Sequence, residues 1–389
     1  MAKTREPRQS TSSRRRTDDL NVGGLVLDED GVLDLDEAAE VIPFNYAITA
    51  YGADYPVDGL VKRLEKGDIS IPVFSLPPAN GSSTVRFQRE FVWKKIQADR
   101  FIESLLLGLP VPGIFLVKQE DGKLLVLDGH QRLQTIRRFY ANDWEGEPYT
   151  LEKVQERFQD QTYQRLDTED RRRLDDSIIH ATVVRQDKPS DDQSSIYHVF
   201  ERLNSGGTTL QPQEIRIALY HGEFVSLLSS LNDSKTWRKL FGRKSKRLKD
   251  IELILRFCAL FQNSPHYARP MKGFLNAYMA RQRHVNEETQ AQMRQLFEKT
   301  TAAILTAIGS KAFKLRAAVN AALADAVLVG VARRINSKGA ISHPKALRIA
   351  YDKLLADPTF QHAIGRATAD EESVKTRLKL ATCAFVSVR

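Results

Sequence analysis

Residues 124–132 read Leu-Leu-Val-Leu-Asp-Gly-His-Gln-Arg, and the last five carry side chains that can do chemistry. An apolar run stops at Asp128, and a helical pattern begins just after Gly129. Glycine lets the backbone turn tightly and come close to a ligand. A helix starting there points unpaired N–H groups and a partial positive charge outward, which suits a phosphate. Arg132, in the first helical turn, offers a planar fork to phosphate oxygens. Asp128 can bind a metal ion or a sugar hydroxyl, or cap the helix. A capped helix behind a hairpin would explain Asp128 and Gly129, but it leaves His130, Gln131 and Arg132 without a purpose.

Three further stretches carry similar residue types. In 86–93, Gln88, Arg89 and Trp93 sit among aromatics ahead of a helix, where Arg89 is either a second phosphate-facing cation or a surface arginine beside core rings. In 200–220, Glu201, Arg202, Asn204, Glu214 and Arg216 cluster around a helix–turn–helix corner, with Gly206-Gly207 in the turn and Pro212 opening the second helix. Carboxylate, amide and guanidinium together can hold Mg2+ and a nucleotide; the same set can equally form a structural ion-pair network. In 247–261, Asp250, Glu252 and Arg256 lie on a strongly apolar helix, where pairing with one another is expected, or a capping role for Asp250. The sequence holds no P-loop, HExxH, CxxC or GxSxG pattern, and its eight histidines make no His-Asn-His motif.

The elements that must position these residues follow from periodicity. Residues 56–69 have helical spacing at Leu60, Val61, Leu64 and Ile69, with Gly67 as a stop. A helix with Ile96, Phe101, Leu105 and Leu106 on one face ends at Gly108 and Pro110. "GIFLV" and "LLVLD" are partner strands around an Asp121-Gly122 turn, and "QRLQTIRRFYAN" is a helix. Residues 145–185 connect to a strand at 178–185, and from 190 onward helices dominate, with patterns at 194–204, 211–221, 249–263, 271–282, 286–307, 311–335, 344–356 and 370–382. The expected fold is α+β: a flexible arm over 1–45, a small mixed nucleotide-binding domain over 46–190, and a larger helical domain over 191–389 that completes the site.

Bulk composition narrows the class. Two cysteines, Cys258 and Cys383, with no metal-ligand spacing fit a reducing cytosol. The N-terminus is basic and polar with no apolar stretch behind it, and 317–332 is short and interrupted by Asn320 and Asp325, so a cytoplasmic protein with no membrane span is expected. The net charge of +9 is concentrated in two places: residues 1–17 carry +5, and 235–249 carry eight Lys/Arg and no acid. Lys235, Arg238, Lys239, Arg243, Lys244, Lys246 and Arg247 therefore form a candidate DNA-contacting set, against a solvated loop as the plain alternative.

Taken together, "FQREFVW", "ESLLLGLPVPGIFL", "LLVLDGHQRLQTI", "FERLNSGGTTLQPQEIR" and "RLKDIELILRF" resemble, in order, the N-terminal domain of GmrSD-type restriction endonucleases. The resemblance covers about residues 56–280. It implies a ParB/sulfiredoxin-like fold, a bacterial anti-phage role directed at modified DNA, and Mg2+-dependent hydrolysis of nucleoside triphosphates, with DNA cut by a C-terminal His-Asn-His nuclease domain. By motif, Asp128, Gly129, Gln131 and Arg132 fall in the phosphate-binding signature, Arg89 in a Gln-Arg pair, and Glu201, Asn204, Glu214 and Arg216 in a second motif. The usual signature reads Asp-Gly-Gln-Gln-Arg; here His130 takes the third place, where it can still donate a hydrogen bond but with a pH-dependent charge.

The expectation is a nucleotide-binding, NTP-hydrolysing switch subunit. Arg132, the helix start beside it, Arg89, His130 and Gln131 would hold phosphates, and Asp128 and Glu201 would hold Mg2+ or orient water. Residues 285–389 read as plain helices, so a separately encoded nuclease or effector is the expected partner, with a homo-oligomer also open. Two rivals share the fold: a ParB-like nuclease that nicks DNA through the same pocket, and a non-catalytic DNA-binding scaffold.

Overall fold

The computed structural model describes residues 32–33, 47–71, 91, 93–119, 121–188, 194–203, 211–315 and 318–389. Its strands are β1 (Val32–Leu33), β2 (Ala47–Pro56), β3 (Ile69–Ser70), β4 (Ile114–Lys118), β5 (Leu124–Asp128), β6 (Ile178–Lys188), β7 (Lys314–Leu315) and β8 (Ala318–Asn320). The helices of the first part are α1 (Val57–Lys66), α2 (Lys95–Leu106), α3 (His130–Ala141) and α4 (Thr168–Asp176). Those of the second are α5 (Ser194–Leu203), α6 (Pro212–Leu219), α7 (Glu223–Asn232), α8 (Lys235–Phe241), α9 (Lys249–Asn263), α10 (Met271–Gln282), α11 (Glu287–Ala307), α12 (Ala321–Lys338), α13 (Pro344–Ala356), α14 (Pro358–Gly365) and α15 (Glu371–Phe385). The expected α+β architecture is present: a small mixed region followed by a larger helical one.

The main sheet has the order β2-β6-β4-β5-β3. β4 runs antiparallel to β5 and parallel to β6. Because successive strand side chains point to opposite faces, the apolar runs of β4 and β5 are divided between two cores. Ile114, Leu116, Leu124 and Val126 join α1, α2 and α3 through Leu60, Ile102, Leu133, Ile136 and Phe139. Val117, Leu125 and Leu127 join Ile196, Tyr197 and Phe200 of α5 and, beyond them, the helical core. The sheet thus has α3 on one face and α5 on the other. Gly67 ends α1 in the left-handed conformation, as its position in the sequence implies, while Ile69 belongs to β3 instead of the helix.

Two departures from the sequence reading have local causes. The ten-residue β2 pairs along almost all of β6, although its Ala, Gly and Pro content hides it. Residues 311–315 and 318–320 are not the first turns of a long helix. β7 and β8 pair antiparallel, and Asn320 then caps α12 by accepting from the Leu323 N–H at 2.7 Å. The backbone of β1 pairs in parallel with β8, which ties the arm to the helical region.

α12 is the central helix, buried from Ala321 through Ala332. No helix among the described residues is long and apolar enough to cross a membrane. Its single acid in that run, Asp325, is 1% exposed and sits between Arg256 of α9 (2.8 Å) and Arg377 of α15 (2.9 Å). Burial pulls the Arg377 guanidinium below its ordinary range, and Asp325 opposes that pull. Arg256 therefore pairs across helices with Asp325, while Asp250 meets Arg238 and Glu252 meets Arg216. Removing one partner of a buried ion pair leaves the rest uncompensated. Asp325→Ala is expected to destabilise the fold by about 3–5 kcal/mol, as measured by the shift in urea midpoint at constant slope.

Candidate functional site

The strand-to-helix turn is built by one steric constraint. Gly129 has φ +95°, and a Cβ there would stand 2.4 Å from Cγ2 of Ile114 on β4. The turn is pressed against the neighbouring strand, so only glycine fits on both counts. α3 begins immediately after it with no side-chain cap at Gly129. Its first turn therefore presents backbone dipoles at the end of β5.

Arg132 returns from this first turn to the strand end. Its Nη2 donates to Oδ2 of Asp128 at 2.7 Å, and its Nη1 donates to the Pro112 carbonyl at 3.4 Å. The arginine side chain is 12% exposed and the aspartate 45%. Asp128 is thus the open half of the pair, and its Oδ1 accepts no hydrogen bond from the described residues. Gln131 is buried; its Nε2 donates to Nε2 of His130 at 2.9 Å and its Oε1 accepts from the Trp93 N–H at 3.4 Å. The residue that departs from the usual signature is therefore tied into the turn through its neighbour.

The second group lies across the sheet. On α5, Glu201 accepts from Nζ of Lys272 (α10) at 3.1 Å, and Nδ1 of His198 stands 3.8 Å from its other oxygen. Lys272 is 5% exposed at its side chain, so this ammonium is held inside. Contact with His198 and the charge of Lys272 hold the Glu201 carboxyl below its ordinary range, against the opposing effect of burial. Sequence reading does not single out Lys272 or His198; the available signal is a lone lysine in the apolar pattern of 271–282.

Glu214 and Arg216 form a third, internal group. Glu214 closes the N-terminus of α6 by accepting from the Gln211 N–H at 2.6 Å, and it lies 3.5 Å from Arg247. Arg216 is 0% exposed and donates to Asn276 (2.8 Å), Gln213 (3.2 Å) and Glu252 (3.0 Å), while Lys249 reaches Glu252 at 3.1 Å. This is the ion-pair network that the residue types also allowed. Arg89 and Asn204 lie outside the described residues.

The basic segment divides in two. Lys235, Lys239, Arg243 and Lys246 are exposed, and Lys244 is exposed while pairing with Asp233. Arg238 turns inward to Asp250 (2.9 Å) and Asn232 (2.7 Å), stacked against the Phe241 ring, and burial pulls its guanidinium down. Arg247 faces Glu214, and Lys249 is buried against Glu252.

Among the described residues no three His, Cys, Asp or Glu side chains gather as a metal cage. Mg2+ held by one carboxylate together with phosphate oxygens needs no such cage, and Asp128, with an oxygen to spare, fits that mode. Glu201 has one oxygen on the Lys272 ammonium and the other facing the His198 ring.

Strands β4 and β5 buried between two cores, with a Gly-Arg turn at the end of β5, define a mixed α/β module extended by a helical body. Residues 69–221 match the family model described as GmrSD restriction endonuclease, N-terminal domain, so that span of the chain carries this domain. No curated protein matches the chain. The matched span includes the strand-to-helix turn, α5 with Glu201, and α6 with Glu214 and Arg216; Lys272, Asn276 and the basic segment lie beyond it.

Because the Glu201 pKa is depressed, its contribution to stability is complete above the ordinary carboxylate range and is lost as pH falls through its folded value. Glu201→Gln is expected to lower stability most at pH 7, with the difference from the parent shrinking below about pH 4. Denaturant titrations across that range measure it.

Proposed function

We propose that this chain is a nucleoside-triphosphate-binding and -hydrolysing switch subunit of a restriction system, with the Asp128–Arg132 turn as its phosphate seat. One observation carries the reading: an arginine held at an uncapped helix start, on a glycine that no other residue can replace, with an open carboxylate beside it. Phosphate oxygens would lie against the first turn of α3, and the Arg132 guanidinium would share its Asp128 hydrogen bond with them. Asp128 is then released to hold Mg2+, which when bound neutralises triphosphate charge, or to orient the attacking water. His130 and Gln131 fix the first turn through their mutual hydrogen bond. Glu201, neutralised by Lys272 and in contact with His198, would couple the turn's sheet to the helical body, and hydrolysis would gate a separately encoded nuclease. The match over 69–221 to a domain named for restriction endonucleases supports the system to which the switch belongs.

DNA is the proposed second partner. The exposed Lys235, Lys239, Arg243 and Lys246 supply the contact, whereas Arg238 and Arg247 are spent inside the fold.

Arg132→Ala should cut phosphate release by about 100-fold or more while leaving the melting curve cooperative; unchanged release removes the site assignment. Replacing Lys235, Lys239, Arg243 and Lys246 together by Gln should flatten the dependence of log K for DNA on log salt by about 0.9 for each phosphate no longer neutralised. An unchanged slope places DNA elsewhere.

A further inference from the structure

Gln134 lies one turn along α3 from the proposed phosphate seat. It is 0% exposed, and neither its Oε1 nor its Nε2 has a hydrogen-bond partner among the described residues. A carboxamide buried with both ends unmatched is costly, and native folds rarely retain one without a use. Four residues further on, Arg138 has its Nη1 buried and equally unmatched. At about 100° per residue, His130, Gln131, Gln134 and Arg138 share one face of α3. That face is lined by rings: the Arg138 guanidinium lies 4.1 Å over Phe91 and 5.5 Å from Trp144, and the Trp93 backbone meets Gln131. Phe91 and Trp144 also touch edge to face at 5.3 Å.

A planar group with one acceptor and two donors, a guanidinium and flanking aromatic rings form a set that recognises a nucleobase. Its distance from the seat suits a nucleotide: four helical residues rise about 6 Å, the scale that separates a base from its phosphates. We propose that Gln134 and Arg138 are the base-reading groups of the nucleotide site. The carboxamide of Gln134 pairs with adjacent donor and acceptor atoms on the base edge, Arg138 Nη1 donates to a further base acceptor, and Phe91 and Trp144 supply the stacking surface. This rests on the reading of Asp128–Arg132 as the phosphate seat.

The test compares binding of ATP, GTP, CTP, UTP and inorganic triphosphate, each with Mg2+, to the parent protein, Gln134→Leu and Gln134→Glu. In the parent, at least one nucleotide should bind about tenfold or more tighter than the rest. Gln134→Leu should collapse that spread toward the affinity of inorganic triphosphate, and Gln134→Glu, which exchanges donors for an acceptor, should reorder it. Because Leu relieves a buried unmatched amide, the melting temperature should hold or rise, which separates lost recognition from lost folding. The same nucleotide ranking in all three proteins overturns the base-reading role and leaves the phosphate seat standing. A parent that binds neither nucleotide nor inorganic triphosphate overturns both.

Discussion

The first half of this molecule depends on two adjacent strands, β4 and β5, that are buried on both faces. β4 and β5 are apolar at successive positions because one parity packs on α1–α3 and the other on α5 and the helical body. Such strands have no place for a charged side chain except at their ends. Asp128 is the last residue of β5 and the only one of its five that is not buried. The chain must then reverse into α3 while lying against Ile114, which fixes Gly129 and delivers Arg132 back to the same carboxylate. The chemistry of the turn follows from the packing of the sheet.

The helical body follows a different rule, in which buried charges are matched between helices far apart in sequence. Asp325 joins α9, α12 and α15, and Glu252 joins α6 and α9. Such pairs add little over a well-packed apolar core but are costly to break. They fix which helix faces which, and so they hold Lys272 where it meets Glu201 and leave five cations of the 235–246 stretch exposed, Lys244 among them paired with Asp233.

The turn was legible in the sequence because its signals are local: an apolar run, Asp-Gly, and a helical period directly after. The α+β order and α12 as a buried helix were legible for the same reason. β2 was not, since its strand character comes from pairing with β6, 126 residues away at the Asp54–His180 contact. The inward turn of Arg238 and Arg247 was equally hidden. Their own segment contains no acid, and the carboxylates that draw them in, Asp250 and Glu214, lie just outside it or on another helix. Gln134 falls in the helical pattern as an ordinary polar residue; only its complete burial without partners marks it.

The central claim is that the start of α3 is an anion seat for a triphosphate. Amide hydrogen exchange of residues 129–133, with and without nucleoside triphosphate and Mg2+, tests it most directly. A seated phosphate accepts from the first-turn N–H groups, so exchange there should slow while the interior of α12 is unchanged. Exchange at 129–133 that is the same with and without saturating nucleotide would contradict the account.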